Sequence, residues 1–314
     1  KLVRRYWAEC GEPSRTVIVA REHAYHGMHL AGTSLAGIEA NRAGHGDLDP
    51  AVVQVPWDDA DALEAVLASR SDVAAFFCEP IIGAGGVYAP PEGYLSRVRE
   101  ICRTHGVLFV ADEVICGFGR TGNWFGSQTL DIQPDIMTIA KGLSSGYQPI
   151  GGSIVSDEIA AVMATAEFTH GYTYSSHPVA AAVALENIRI LDEENIVTNV
   201  RTHTAPYLKT QWESLSDHPM VGEAKIVGMM GSIALTPDKQ SRAKFEADAG
   251  TVGYICRERC FANNLVMRHV GDRMIIDSDP EIAIHVAGSP EAEAFKYLPF
   301  GSEAAAELCA LGRQ

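Results

Sequence analysis

The 314-residue chain is 46% hydrophobic and 21% charged, enough apolar material for a substantial core, which excludes general disorder. Lys and Arg number 25 against 40 Asp and Glu, a net charge of −15, so a phosphate backbone or an anionic lipid surface would be repelled overall. No apolar run approaches the roughly 20 residues needed to cross a bilayer. The sequence therefore reads as a soluble protein with neither nucleic acid nor membrane as partner.

In chain order, Lys1-Leu-Val-Arg-Arg-Tyr-Trp7 reads as the interior of a helix with nothing ahead of it to cap it, so the chain is expected to start inside a domain. Apolar, β-branched runs at 15–20, 51–55, 73–78, 107–112, 136–140 and 150–155 read as strands, most of them without the alternation of a half-exposed strand. Helical patterns at 60–68, 93–104 and 157–164 separate several of these runs. That order predicts an α/β fold with a mainly parallel sheet, in which ligands gather at strand ends. A long apolar helix is expected over 177–195 and a more polar one over 196–215. A smaller α+β unit follows, with strands at 225–227 and 232–235 and helices at 241–247 and 251–259. The expected division is a large domain over 1–193 and a small C-terminal domain over 194–314.

Seven cysteines (Cys10, Cys78, Cys102, Cys116, Cys256, Cys260 and Cys309) are spread through apolar segments, which suits a reducing compartment and a cytoplasmic location. Only Cys256 and Cys260 lie close together, and no second pair completes a zinc set. His23, His26 and His29 recur every three residues, but glycines at 27 and 32 and the lack of a nearby acid set favour loop histidines over ligands. No metal is expected.

Three segments carry candidate chemistry. Leu108-Phe-Val-Ala-Asp-Glu-Val-Ile-Cys-Gly-Phe-Gly-Arg-Thr-Gly122 delivers Asp112 and Glu113 at a strand end, ahead of a glycine-rich turn. Gly117 to Gly122 formally matches a dinucleotide fingerprint, yet the first glycine does not follow the strand directly and no convincing helix opens after the last. A nicotinamide oxidoreductase is thus a rival reading. The second segment, Pro134-Asp-Ile-Met-Thr-Ile-Ala-Lys141-Gly-Leu, ends a buried-looking strand in one lysine. Alone, Lys141 reads more readily as a snorkelling strand-end cation than as an amine whose pKa falls at an apolar site, where it can attack a carbonyl. Asp112, 29 positions earlier, reads as a cap, an ion-pair partner or the carboxylate that holds a pyridinium nitrogen protonated. The third, Thr169-His-Gly-Tyr-Thr-Tyr-Ser-Ser-His-Pro178, is a polar capping loop or the lining of a phosphate site ahead of a helix.

Ala24-Tyr-His-Gly27, Glu79-Pro-Ile-Ile-Gly-Ala-Gly-Gly86, Asp112 through Gly122, Ala140-Lys-Gly142 and Thr173-Tyr-Ser-Ser-His-Pro178 together resemble the class III pyridoxal-phosphate-dependent aminotransferases. The likeness holds in order and spacing from Lys1 to about Ile276. It implies the fold type I architecture, pyridoxal 5'-phosphate as cofactor, and a homodimer with shared sites. It further implies that Lys141 holds the cofactor as a Schiff base and moves protons, that Asp112 pairs with the pyridine nitrogen, and that Val114 and Tyr25 cover the ring with His26 beside it. Tyr172 and Thr173 would reach the phosphate of the neighbouring subunit's cofactor. Glu79 would stand near the substrate, and Arg268, in Asn263-Asn-Leu-Val-Met-Arg-His, would clamp the acceptor's carboxylate. Within the family the motifs are most similar to the ω-amino acid and amine:pyruvate branch. That implies donors such as β-alanine, putrescine or γ-aminobutyrate, with pyruvate as acceptor. Met28 reads as a lining residue of the donor pocket or as a core methionine. An aminomutase, a decarboxylating transaminase and an inactive fragment are the alternatives. Two departures stand out: the family's N-terminal phosphate turn is not in the sequence, and the residues after Ile276 do not follow the family pattern, although Gly301-Ser-Glu-Ala304 repeats the tetrapeptide of that turn.

Overall fold

Helices cover both faces of the central expected strands, Val17–Arg21, Val73–Cys78 and Leu108–Asp112. The computed structural model describes residues 1–263 and 265–277; residues 278–314, with Cys309 and the Gly301-Ser-Glu-Ala304 repeat, lie outside the described residues. The chain divides into two compact units, the first made of Lys1–Gly85, Pro90–Phe118 and Phe125–Glu194. In chain order it holds α1 (Leu2–Glu9), β1 (Val17–Arg21), α2 (Leu30–Leu35), α3 (Glu39–Arg42), β2 (Val52–Val55), α4 (Ala60–Ser69) and β3 (Val73–Cys78). Then come α5 (Tyr94–Thr104), β4 (Leu108–Asp112), α6 (Gly126–Thr129), β5 (Ile136–Ile139), β6 (Gly152–Val155), α7 (Asp157–Met163) and α8 (Pro178–Glu193).

The sheet runs β2-β1-β3-β4-β5-β6, parallel through β5, with β6 antiparallel at its edge. On one face Val19, Phe76 and Phe109 pack with Leu63 and Leu67 of α4 and Leu95, Val98 and Ile101 of α5. On the other, Ala74, Leu108 and Val110 meet Val3, Tyr6 and Trp7 of α1 and Ile159 of α7. A strand enclosed from both sides needs an apolar residue at nearly every position, which explains the missing alternation. Each fully buried side chain such as Phe76 contributes about 1.5–3 kcal/mol. Local signals fix the element ends: the Asp59 carboxylate caps α4 by accepting from the N–H groups of Asp61 and Ala62 at 2.9 and 3.1 Å. Asp135 accepts two bonds from the Arg99 guanidinium, at 3.0 and 2.7 Å, and one from the Phe109 N–H, anchoring the start of β4.

The chain lays β2 on one side of β1 and then crosses to place β3 on the other. Such a reversal opens a crevice at the carboxyl ends of the strands.

The second unit consists of Gly86–Ala89, Gly119–Trp124 and the described residues from Asn195 onward. It contains α9 (Ile196–Asn199), a π turn at Val200–Thr204, α10 (Ala205–Ser214), β7 (Val221–Val227), β8 (Met230–Leu235), α11 (Thr251–Ala262), β9 (Arg268–Val270) and β10 (Arg273–Asp277). Its sheet, β7-β8-β10-β9, is antiparallel, and Trp212, Ile233, Val252, Cys256 and Met274 share its core.

Three features depart from expectation. The segments 86–89 and 119–124, read as part of the first domain, belong to the second unit. The helix predicted over 196–215 is interrupted by the π turn ahead of Pro206, whose missing N–H breaks the regular ladder. The helix predicted over 241–247 does not form. There the Asp238 carboxylate accepts from the Gln240 N–H at 2.9 Å and the Ser241 hydroxyl at 2.6 Å, and Arg242 takes φ +51°, so side chain to backbone bonding makes a turn instead.

Candidate active site

Four strand ends of the first unit bring the expected residues to one edge of the sheet. β1 leads into Tyr25 and His26, β3 into Glu79, β4 ends on Asp112, and β5 runs through Ala140 into Lys141. β4 and β5 are parallel neighbours with Asp112 opposite Thr138. Lys141 therefore lies past the level of Asp112, two residues after β5 ends at Ile139.

Asp112 is buried and its carboxylate has two protein partners. Oδ1 accepts from the Val114 N–H at 3.1 Å, and Oδ2 lies 2.7 Å from His26 Nδ1. A carboxylate can only accept, so the Nδ1 proton belongs to the imidazole. The ring also meets Phe77 edge-on at 5.1 Å between centroids. His26 Nε2 is buried without a hydrogen-bond partner.

The neighbouring acids serve the backbone. Glu113 is fully buried, and its carboxylate accepts from the N–H groups of Gly126 and Ser127 at 2.8 and 2.7 Å, which ties the start of α6 to the end of β4. Burial pushes its pKa up, against the pull of those bonds. Glu79, expected beside the substrate, is 2% exposed and has both oxygens engaged, Oε1 with the Tyr25 N–H at 3.0 Å and Oε2 with the Gly83 N–H at 2.8 Å. Burial raises its pKa above the usual carboxyl range, Asp112 raises it further, and His26 and the two N–H groups work the other way. The packing here is tight: a Cβ on Gly85 would stand 1.7 Å from the His23 carbonyl oxygen, so only glycine fits.

Lys141 is exposed and takes φ +43°, in the left-handed region, at the start of a turn spanning Lys141–Leu143. A non-glycine residue held there costs on the order of 1–3 kcal/mol, and such strain persists where the surroundings fix the geometry. Val114 is half-buried, two residues past Asp112. Tyr172 and Thr173 are exposed, Tyr172 by 65%, and the tyrosine stacks on His29 with ring centroids 6.3 Å apart. Arg268, in the second unit, opens β9 with an exposed side chain.

Of the three spaced histidines, His26 sits on Asp112, His29 on Tyr172, and His23 takes φ +63°. Among the described residues no three His, Cys, Asp or Glu side chains gather where they could hold a metal ion. The glycines at 117–122 form a turn after the acids, and the helix that follows at Gly126–Thr129 spans four residues, so the strand–glycine–helix continuity of a dinucleotide site is not there. A cleft of about 1440 Å³ opens on the sheet face that carries Phe77, Val110 and Thr138, with His170 and Tyr172 also on its wall. Two supports escaped the sequence reading, Glu113 as a helix anchor and Asn187 of α8. The signal for Asn187 was a polar residue in the buried stripe Ala180, Ala184, Asn187, Leu191.

These groups fit pyridoxal phosphate. The oxygens of Asp112 retain lone pairs for a ring N–H after taking one bond each, and the orphaned, buried Nε2 of His26 marks a polar group prepared for more than packing. Lys141 provides an amine past the neighbouring strand end. The solved structures that the chain superposes on are omega-transaminases, which places it among the fold type I transferases that use pyridoxal phosphate. Residues 1–275 match the family Aminotransferase class-III, and the chain belongs to that family.

Its relatives include putrescine–pyruvate aminotransferase of Pseudomonas aeruginosa, 50% identical over 298 residues covering 88% of this chain and 64% of that protein. Omega-amino acid–pyruvate aminotransferase of Pseudomonas putida is 37% identical over 272 residues, 76% of this chain and 59% of that protein. The chain therefore spans a little under two thirds of the length of these relatives. Among solved structures, the omega transaminase from Pseudomonas jessenii in complex with PMP superposes with a TM-score of 0.90 at 32% identity, covering 98% of this chain and 72% of that one. The (S)-enantioselective omega-transaminase from Thermomicrobium roseum gives 0.88 at 34% identity, covering 98% and 71%.

Proposed function

We propose that the chain transfers an amino group from a primary amine or ω-amino acid, a short diamine such as putrescine foremost, to a keto acid, pyruvate foremost. The observation that carries this reading is the buried pair of His26, in the loop after β1, and Asp112, at the end of β4, next to the strand that leads into Lys141. The 50% identity to putrescine–pyruvate aminotransferase supports the choice of donor and acceptor.

Bound pyridoxal phosphate supplies an electron sink for the negative charge that develops on the donor's amine-bearing carbon as its proton leaves. Asp112 holds a proton on the ring nitrogen by charge and by hydrogen bond. His26 fixes the rotation of that carboxylate through the Nδ1 bond. Lys141, as the neutral amine, removes the proton from the donor carbon and in the return half-reaction gives a proton to the acceptor-derived carbon. Tyr25 and Val114 would pack against the ring of the bound cofactor, and Glu79 serves the site by holding the backbone of Tyr25. Arg268 is the proposed bidentate partner of the acceptor's carboxylate.

The same reading includes a homodimer in which Tyr172 and Thr173 serve the neighbouring subunit. Support comes from the exposed apolar side chains of Tyr147, Tyr172, Tyr174, Val179 and Leu185 on the first unit. A cytoplasmic location fits the free thiols of the described cysteines. No described helix is long and apolar enough to cross a membrane.

The test is alanine formation from pyruvate with putrescine, β-alanine and γ-aminobutyrate in parallel, Lys141→Ala serving as the blank. Turnover with at least one amine, lost in the variant, is expected. No alanine from any donor, or equal rates in the variant, would refute the reading.

A further inference from the structure

We propose that Asn187 is the positioning residue for Lys141, a proposal that rests on the reading of Lys141 as the reacting amine. Lys141 stands past the end of β5 in a tight turn bounded by two left-handed, non-glycine residues, Lys141 at φ +43° and Ser145 at φ +47°. The turn's own bonds run from the Leu143 N–H to Ala140 O at 3.0 Å and from the Ser144 N–H to Lys141 O at 3.1 Å. The carbonyls of Gly142 and Leu143 need another donor.

Asn187 is that donor. Its Nδ2 donates to Gly142 O at 2.9 Å and Leu143 O at 3.2 Å, while its Oδ1 accepts from the Ser145 hydroxyl at 2.8 Å. The whole amide is thus spent on one turn. The side chain is 5% exposed and occupies a position where α8 otherwise buries Ala180, Ala184 and Leu191, so an apolar residue would be the cheaper choice for packing alone. On its other side the turn is closed by Phe118, whose Cβ a side chain on Gly142 would meet at 3.0 Å. Asn187 and Phe118 together set where the Lys141 Cα stands, and the amide sets the direction of the backbone that carries it.

The test compares Asn187→Leu, which keeps the volume and removes all three bonds, with Leu191→Ala, a cavity one turn along the same helix. In cofactor-free protein, competitive acetylation of Lys141 against Lys209 is followed by peptide mass spectrometry across pH. Pyridoxal phosphate is then added and the visible band titrated. Asn187→Leu is expected to change the relative acetylation of Lys141 about tenfold and to move the pH midpoint of the band. It should also lower kcat by about 10²-fold, the cost of a displacement near 1 Å, with the donor KM changed less than about threefold. Leu191→Ala should lower Tm and move none of these. Ser145→Ala removes only the bond to Oδ1 and should give a smaller change in the same direction, which keeps the test decisive where Asn187→Leu does not fold. The proposal falls if the Asn187 and Ser145 variants lose Tm while acetylation and the band stay as in wild type. Wild-type protein in which the cofactor never attaches to Lys141 would instead overturn the reading of the site itself.

Discussion

His26 Nδ1 lies 2.7 Å from Asp112 Oδ2, with the imidazole 2% exposed, and this contact joins the loop after β1 to the end of β4 across the intervening β3. The carboxylate at the end of β4 is therefore oriented by a residue 86 positions earlier in the chain. A charge-assisted bond of this kind is about twice as strong as a neutral one and fixes direction as well as position.

Asp112→Asn keeps the shape of the side chain and removes its charge. It is expected to lower kcat about 10²–10³-fold, the scale for losing one preorganised electrostatic partner. His26→Phe, which keeps a ring against Phe77, should cost less, about 10–10²-fold, in line with the roughly 1.5–3 kcal/mol of a bond to a charged group. Steady-state kinetics at saturating pyruvate measures both, and wild-type rates in either variant would contradict the roles given to the pair.

Glu79 has a pKa raised above the ordinary carboxyl value of 4.5, with burial as the main cause. A carboxyl whose folded pKa lies above its unfolded one contributes stability that is fully present below pH 4.5 and lost as pH rises through the folded value. Wild-type Tm should accordingly decline over that window from this source, and Glu79→Gln, which cannot titrate, should flatten the slope. The variant should also be less stable throughout, because its amide presents an N–H to one of the two backbone donors of Tyr25 and Gly83. Parallel Tm–pH curves would count against the assignment.

Gly85→Ala places a methyl 1.7 Å from the His23 carbonyl oxygen, which forces the backbone of two loops apart. A loss of about 1–3 kcal/mol or more is expected, read as a lower urea midpoint at unchanged m. Gly171→Ala meets open space at an ordinary φ and should stay within about 0.5 kcal/mol of wild type. Equal midpoints for the two variants would show that the loop contact is not as described.

Asp59→Ala removes the cap of α4; the aspartate is exposed and its carboxylate bonds the first-turn N–H groups of that helix. A loss of about 1 kcal/mol with unchanged kcat is expected. Thermal unfolding and the alanine assay on the same sample separate the two quantities.

Much of this architecture was legible because physical constraints act locally on the sequence. β1, β3 and β4 had to read as apolar runs once both faces were covered, and the motifs at Tyr25, Asp112 and Lys141 sit at the ends of such runs, where a parallel sheet exposes its ligands. What stayed hidden depends on contacts distant in sequence or on competition within a turn. Nothing in the composition of 86–89 or 119–124 marks them as excursions into the second unit. The 241–247 segment has helical spacing, but Asp238 accepts from the Gln240 N–H and the Ser241 hydroxyl at its entrance. The motif reading gave Glu79 a place near the substrate but not the bonds by which its carboxylate holds the backbone of Tyr25 and Gly83. The short strands β9 and β10 lack a run long enough to stand out, although they complete the second sheet.

Borohydride reduction of the protein incubated with pyridoxal phosphate, followed by peptide mapping, tests the central claim most directly. The account predicts one pyridoxyl group per chain, on the peptide that carries Lys141, with the label abolished by Lys141→Ala. Label spread over surface lysines such as Lys209 and Lys225, or undiminished in the variant, would contradict it.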